Sequence, residues 1–174
     1  MKPWSITTTI RNPYRLRDLL AVLKTMEGRV WNKFTQIELQ VKLIQNRLYG
    51  YRNRQFYNGL SPSHVELIEN DTEPLTLEEA RNIFHAKNYE DHPMRGRQSV
   101  NPLKKFGFAI AERDRKIEVT ELGTCFLREP VDLQDIFLRV FLKWQIPNPE
   151  NNVTSARKFT TLNHLLGHFI LLTA

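Results

Sequence analysis

RGRQSVNPLKKFGFAIAERDRKIEVTELGTCFLR, residues Arg95–Arg128, is the stretch on which the reading of this chain turns. Arg95, Arg97, Gln98, Ser99, Asn101, Lys104 and Lys105 crowd its first part, which reads as a basic helix. Phe108, Ile110, Ile117 and Val119 then alternate with Ala109, Ala111, Lys116 and Glu118 on either side of Arg113-Asp114-Arg115, the period-two pattern of a hairpin with a charged tip. A further helix starts after it. A basic helix followed by a basic hairpin is the order of a winged helix, in which the helix enters a DNA major groove and the wing rests on phosphates.

Composition allows this and removes alternatives. The 174 residues are 41% hydrophobic and 25% charged, as in an ordinary globular protein with a sizeable core. One cysteine, Cys125, leaves no room for a disulfide framework or a Cys-rich zinc site, and suits a reducing cytoplasm. Met1–Ile10 holds Lys2, Pro3 and several hydroxyl residues with no apolar run, unlike a secretory leader. Leu162–Ala174, the most apolar stretch, is interrupted by His164 and His168 and is too short to span a bilayer. The net charge of +6 is unevenly spread. It is +8 over residues 1–60, −6 over 61–94, +4 over 95–120 and zero thereafter, which suggests a one-sided positive surface.

Local signals fill in the helices. Asn12-Pro13 opens one carrying Leu16, Leu19, Leu20 and Leu23 as a buried stripe, ending near Gly28. Thr35–Tyr49 reads as a second, with Ile37, Val41, Ile44 and Leu48 on one face, and an arginine and aromatic loop follows from Arg47 to Gly59. Ser61-Pro62-Ser63 starts a short helix, and Thr76 with Glu79 forms a capping box for another. Pro102 is awkward within the basic element, because it has no N–H to donate. Either the helix begins near Asn101, with Arg95–Val100 as an arm, or it is kinked at Pro102. Glu121-Leu122-Gly123 is expected to end the hairpin. Asp132 caps a last strong helix over Leu133–Gln145, and Pro147-Asn148-Pro149 breaks it. The chain stops inside an apolar helix at Leu171–Ala174, which reads as a piece of a longer protein.

The expected fold is therefore mainly α with a small β-hairpin, a winged helix-turn-helix with additional packing helices. Residues 1–60 form a basic helical part, 61–130 the winged-helix unit, and 131–174 helices leading toward a missing part of the parent protein. Arg95, Arg97, Gln98, Ser99 and Asn101 carry the side-chain chemistry that reads base edges; arginine makes two bonds to guanine O6 and N7, and glutamine or asparagine two to adenine. Lys104, Lys105, Arg113, Arg115 and Lys116 suit the DNA backbone, as do Arg47, Tyr49, Arg52 and Arg54 of the loop. A solvated helix of a protein-binding module is the bland alternative. Asp114-Arg115-Lys116, with Asp91 upstream, formally matches half of a nuclease motif, but an exposed hairpin tip does not hold carboxylates around a metal. No catalytic or metal-binding residue is assigned; His164 and His168 lack a third ligand, and Cys125 reads as core.

NPLKKFGFAIAERDRKIEVTELG, within Val100–Gly123 and its flanks, and DIFLRVFLKWQIPNP, Asp135–Pro149, resemble the amino-terminal region of the AlwI-type family of type IIS restriction and nicking endonucleases. The similarity runs from about Pro93 to Pro147. KPWSITTTIRNPYRL at the start of the chain and EGRVWN at Glu27–Asn32 look like the family's opening. The resemblance implies a bacterial cytoplasmic protein in which a recognition region built of winged helices precedes a nuclease domain that uses Mg2+. Its partners would be double-stranded DNA with a short asymmetric site and a second nuclease subunit, with no membrane. This chain would hold no cofactor and would bind without cutting. A free-standing winged-helix transcription regulator is the alternative.

Overall fold

The computed structural model describes residues 12–49, 54–70 and 73–143, without the side chains of 54, 55 and 141–143. Those residues are mainly helical with one two-stranded antiparallel hairpin. In chain order they form α1 (Pro13–Lys24), α2 (Lys33–Gln45), α3 (Arg54–Tyr57), α4 (Pro62–Glu69), α5 (Leu77–Ala86), α6 (His92–Lys105), β1 (Ala109–Ile110), β2 (Glu118–Val119), α7 (Glu121–Leu127) and α8 (Leu133–Lys143).

The caps explain where the helices begin. Asn12 accepts from the Tyr14 N–H ahead of Pro13, as the sequence signals, and Leu16, Leu19, Leu20 and Leu23 are buried. Asn32 Oδ1 accepts from the N–H groups of Phe34 and Thr35, while Thr35 Oγ1 accepts from the Asn32 N–H. That reciprocal box starts α2 at Lys33, two residues earlier than the apolar stripe indicates. Thr76 and Glu79 close the same kind of box on α5.

The basic element is neither an arm nor a helix begun at Asn101. Asp91 caps it by accepting from the Met94 N–H at 3.0 Å, and α6 runs unbroken through Pro102 to Lys105. Pro102 is tolerated there because it lies in the last turn and frees only the carbonyl of Gln98, an exposed residue that water can reach.

The hairpin faces are also corrected. Ala109 pairs with Val119 and Ile110 with Glu118, so Ala109, Ala111, Ile117 and Val119 point inward and Ile110 lies half-buried on the far side. Phe108 is buried, but from the turn before β1, where Gly107 has φ +74° and the Phe108 N–H donates to the Leu103 carbonyl. Strand parity starts at Ala109, and a shift of one residue reverses every side chain. Glu121–Gly123 does not end the hairpin; it opens α7, capped by Thr120.

A third segment lies along the hairpin. Gly28 N–H donates to the Ile117 carbonyl, Ile117 N–H to that of Arg29, Trp31 N–H to that of Arg115, and Asp114 N–H to that of Trp31. Val30 and Lys116 form the bridge between the two segments. The stretch between α1 and α2 thereby fixes the hairpin turn.

Two apolar clusters meet on α2. One joins α1, Trp31, Leu39 and Leu43 of α2, α6, the hairpin, α7 and α8. At its centre Phe108 stacks on Phe126, with ring centroids 4.5 Å apart, and Phe137 meets Phe106, Phe108 and Phe126 edge-on. The other cluster sets Val41 and Ile44 of α2 against Phe56, Ile68, Leu75 and α5. The contact between α2 and α6 is closest at Gly96, where a Cβ would stand 2.2 Å from the Gln36 carbonyl oxygen.

Candidate nucleic-acid interface

Fixing the hairpin turn beside α6 leaves an open groove of about 850 Å³. It is lined by Trp31, by Asn32–Phe34 and Gln36 from the start of α2, by Arg97, Val100, Asn101 and Lys104 of α6, and by Ala111–Asp114 of the hairpin. Arg97, Asn101 and Lys104 recur at the spacing that puts residues on one helix face. Lys33, Arg97, Lys104 and Arg113 outnumber Glu112 and Asp114, so the groove is cationic.

Of the residues expected to meet bases, Arg97 and Asn101 line this groove, and Gln98 is exposed on the same helix outside it. Arg95 faces another way: its guanidinium lies 5.5 Å from the centre of the Tyr89 ring, and its Nε is buried. Ser99 is a correction. It is buried, out of reach of a base, and its one hydroxyl donor is spent on the Arg95 carbonyl one turn back.

Of those expected on the backbone, Lys104 and Arg113 line the groove and Lys105 is half-buried. Arg115 and Lys116 are exposed on the turn; Arg115 pairs with Glu112 at 2.7 Å, and Arg113 stands 3.3 Å from Asp114.

Arg47 is a second correction. Its guanidinium donates to the carbonyls of Glu73, Ile68, Leu67 and Asn70, and so stitches the end of α2 to the last turn and C-cap of α4 and to the loop before α5. That clamp consumes the donors a phosphate would need. Tyr49 packs edge-on to Phe56, with centroids 5.7 Å apart, and belongs to the folded loop. Arg52 and the Arg54 side chain lie outside the described residues, as do His164 and His168. Lys87 also serves the loop: it donates to the carbonyls of Phe56 and Asn58, and burial pushes its pKa below the ordinary value.

Lys33, Phe34 and Gln36 are groove residues that the sequence reading missed. Phe34 is 82% exposed, although it is in helical phase with Ile37, Val41 and Ile44. It sits a turn beyond the end of their cluster, so helical phase alone does not tell whether it is buried. The Asn32–Thr35 box is the signal that would have placed it in an exposed first turn.

Among the described residues, no three His, Cys, Asp or Glu side chains converge where a metal ion could bind. Asp114 pairs with Arg113 on the exposed turn, so the half-motif at Asp114–Lys116 does not fit a Mg2+ site. No described helix is long and apolar enough to cross a membrane.

Comparison with known proteins adds one match. Residues 104–173 match the family model described as AlwI restriction endonuclease. The match covers less than half of the chain, from the last turn of α6 through the hairpin, α7 and α8 and on beyond the described residues. It corrects the expected resemblance. The similarity lies in the carboxy-terminal portion of this chain, and the opening, Glu27–Asn32 and α6 up to Leu103 fall outside it. The chain is thus not shown to be the family's amino-terminal recognition region. No curated protein and no solved structure matches it.

Proposed function

We propose that this chain binds double-stranded DNA in a sequence-specific manner, as part of a type IIS restriction or nicking endonuclease. The observation that carries the reading is the cationic groove in which Arg97, Asn101 and Lys104 of α6 meet Lys33 of α2 and Arg113 of the hairpin turn. A helix face bearing arginine and asparagine offers the donors and acceptors that distinguish base pairs in a major groove, and flanking cations fix the register on phosphates. The family match agrees with a nucleic-acid-related role.

In this reading the order α1, the segment Gly28–Trp31, α2, α6 and the hairpin is that of a winged helix, with residues 46–91 inserted between its second and third helices. The unit then begins at α1 and not at residue 61, because α1, α2 and the hairpin share one core. The hairpin turn is a short wing held on Trp31. Arg97 and Asn101 face base edges, with Gln98 at the margin; Lys33, Lys104 and Arg113 face phosphates, with Lys105, Arg115 and Lys116 beside them. Cleavage is assigned elsewhere than this groove, whose two lining carboxylates, Glu112 and Asp114, are too few to hold a catalytic metal.

Selection from a pool of randomised duplexes tests this. The chain should enrich one short asymmetric sequence. Enrichment of none, with binding equal on all duplexes, would defeat the sequence-specific reading.

A further inference from the structure

Arg97 is held at two points before any DNA arrives. One terminal nitrogen of its guanidinium stands 2.7 Å from Asp91 Oδ2, and the other donates to Gln36 Oε1 at 3.2 Å. Neither partner is loose. Asp91 is the N-cap of α6, and its other carboxylate oxygen accepts from the Met94 N–H. Gln36 is 6% exposed and lies where Gly96 brings α6 against α2. Arg97 and Gln36 line the groove and Asp91 does not, so the ion pair anchors the guanidinium from outside.

A guanidinium has five N–H donors, and these two bonds leave three. A guanine edge needs two of them, at O6 and N7. An arginine on a long unsupported stem must give up its rotamer freedom when it binds, and one fixed beforehand does not.

We infer that Asp91 and Gln36 are positioning residues that aim Arg97 at the O6/N7 edge of one guanine, making that base pair a specificity-determining position. This rests on the proposed DNA binding. The competing idea is that Asp91 is an internal substitute for phosphate that DNA must displace. The two make opposite demands on Asp91→Asn. That variant keeps an N-cap acceptor, so α6 should fold as before, but it loses the charge-assisted bond to Arg97.

The test uses the 174-residue chain and the duplex it selects. Arg97→Ala should relax the choice at one G·C pair, which marks the position. At that pair Asp91→Asn should cut the preference for G·C over A·T roughly tenfold, with binding to random duplex not weakened and the unfolding midpoint unchanged. Arg97→Lys, which keeps the charge and loses the two-point hold, should not restore the preference. Full discrimination by Asp91→Asn, or an equal gain in affinity for selected and random duplexes, overturns the inference while leaving DNA binding intact. Relaxation by Arg97→Ala at no G·C pair also overturns it. If the wild-type chain selects no sequence, the reading beneath the inference has failed first.

Discussion

Single side chains separate the functional reading from a structural one most sharply at Phe34 and Arg47. Phe34 is 82% exposed at the rim of a cationic groove, so truncating it removes little folded-state packing. Phe34→Ala should leave the unfolding midpoint almost unmoved and weaken duplex binding roughly tenfold, about 1.4 kcal/mol, by losing apolar contact with the DNA. Titration of labelled duplex checks it; a fall in stability with unchanged affinity would give Phe34 a structural role instead. Arg47→Ala should behave in the opposite way. It breaks the bonds to four carbonyls at and just after the end of α4 and should cost about 2–3 kcal/mol in chemical denaturation while leaving DNA affinity alone. Gln40 is fully buried, and neither polar atom of its amide has a partner. Gln40→Met, of similar volume, should therefore raise the unfolding midpoint by relieving a penalty of about 1–3 kcal/mol; a lower midpoint would show that the amide contributes net stability. Sequence alone could not sort these residues. Arg47 and Arg97 are equally basic on paper, and only the chain's return at Leu67–Glu73 decides that one of them is a clamp.

At the scale of elements, the interface depends on how closely α6 lies against α2. Gly96→Ala would push a methyl group into the Gln36 carbonyl, which is backbone and cannot swing aside. It should destabilise the fold by about 1–3 kcal/mol or more and disturb the groove with it, seen as an earlier thermal transition together with weaker DNA binding. An unchanged transition would mean that the two helices are not so closely apposed. The helices themselves were largely legible. Asn12-Pro13, Ser61-Pro62 and Thr76 with Glu79 are local signals, and all three open helices where expected. What was not legible depends on distant partners. The hairpin face was misjudged because Ile110 is more hydrophobic than Ala109, yet pairing with Val119 fixes Ala109 inward, in the core that holds the phenylalanine cluster. Likewise, nothing near Pro102 in sequence says that Asp91 caps a helix running through it.

Across the whole molecule, the charge pattern and the groove describe one surface. The basic blocks at 1–60 and 95–120 are far apart in sequence, and α2 brings Lys33 of the first beside Arg97, Lys104 and Arg113 of the second. That juxtaposition was foreseeable only as a one-sided tendency. The family match begins at residue 104, so it includes the hairpin with Lys104 and Ala111–Asp114 of the groove and omits Lys33, Arg97 and Asn101. The DNA-binding claim therefore stands on charge and shape together. It is tested most directly by the dissociation constant for duplex DNA as salt is raised from about 50 to 200 mM, in the wild-type chain and in Lys104→Ala. If the groove neutralises phosphates, log K should fall linearly with log salt, by about 0.9 for each phosphate contacted, and Lys104→Ala should be shallower by about one contact. A flat response, or a slope that Lys104→Ala leaves unchanged, would contradict a nucleic-acid interface at this groove.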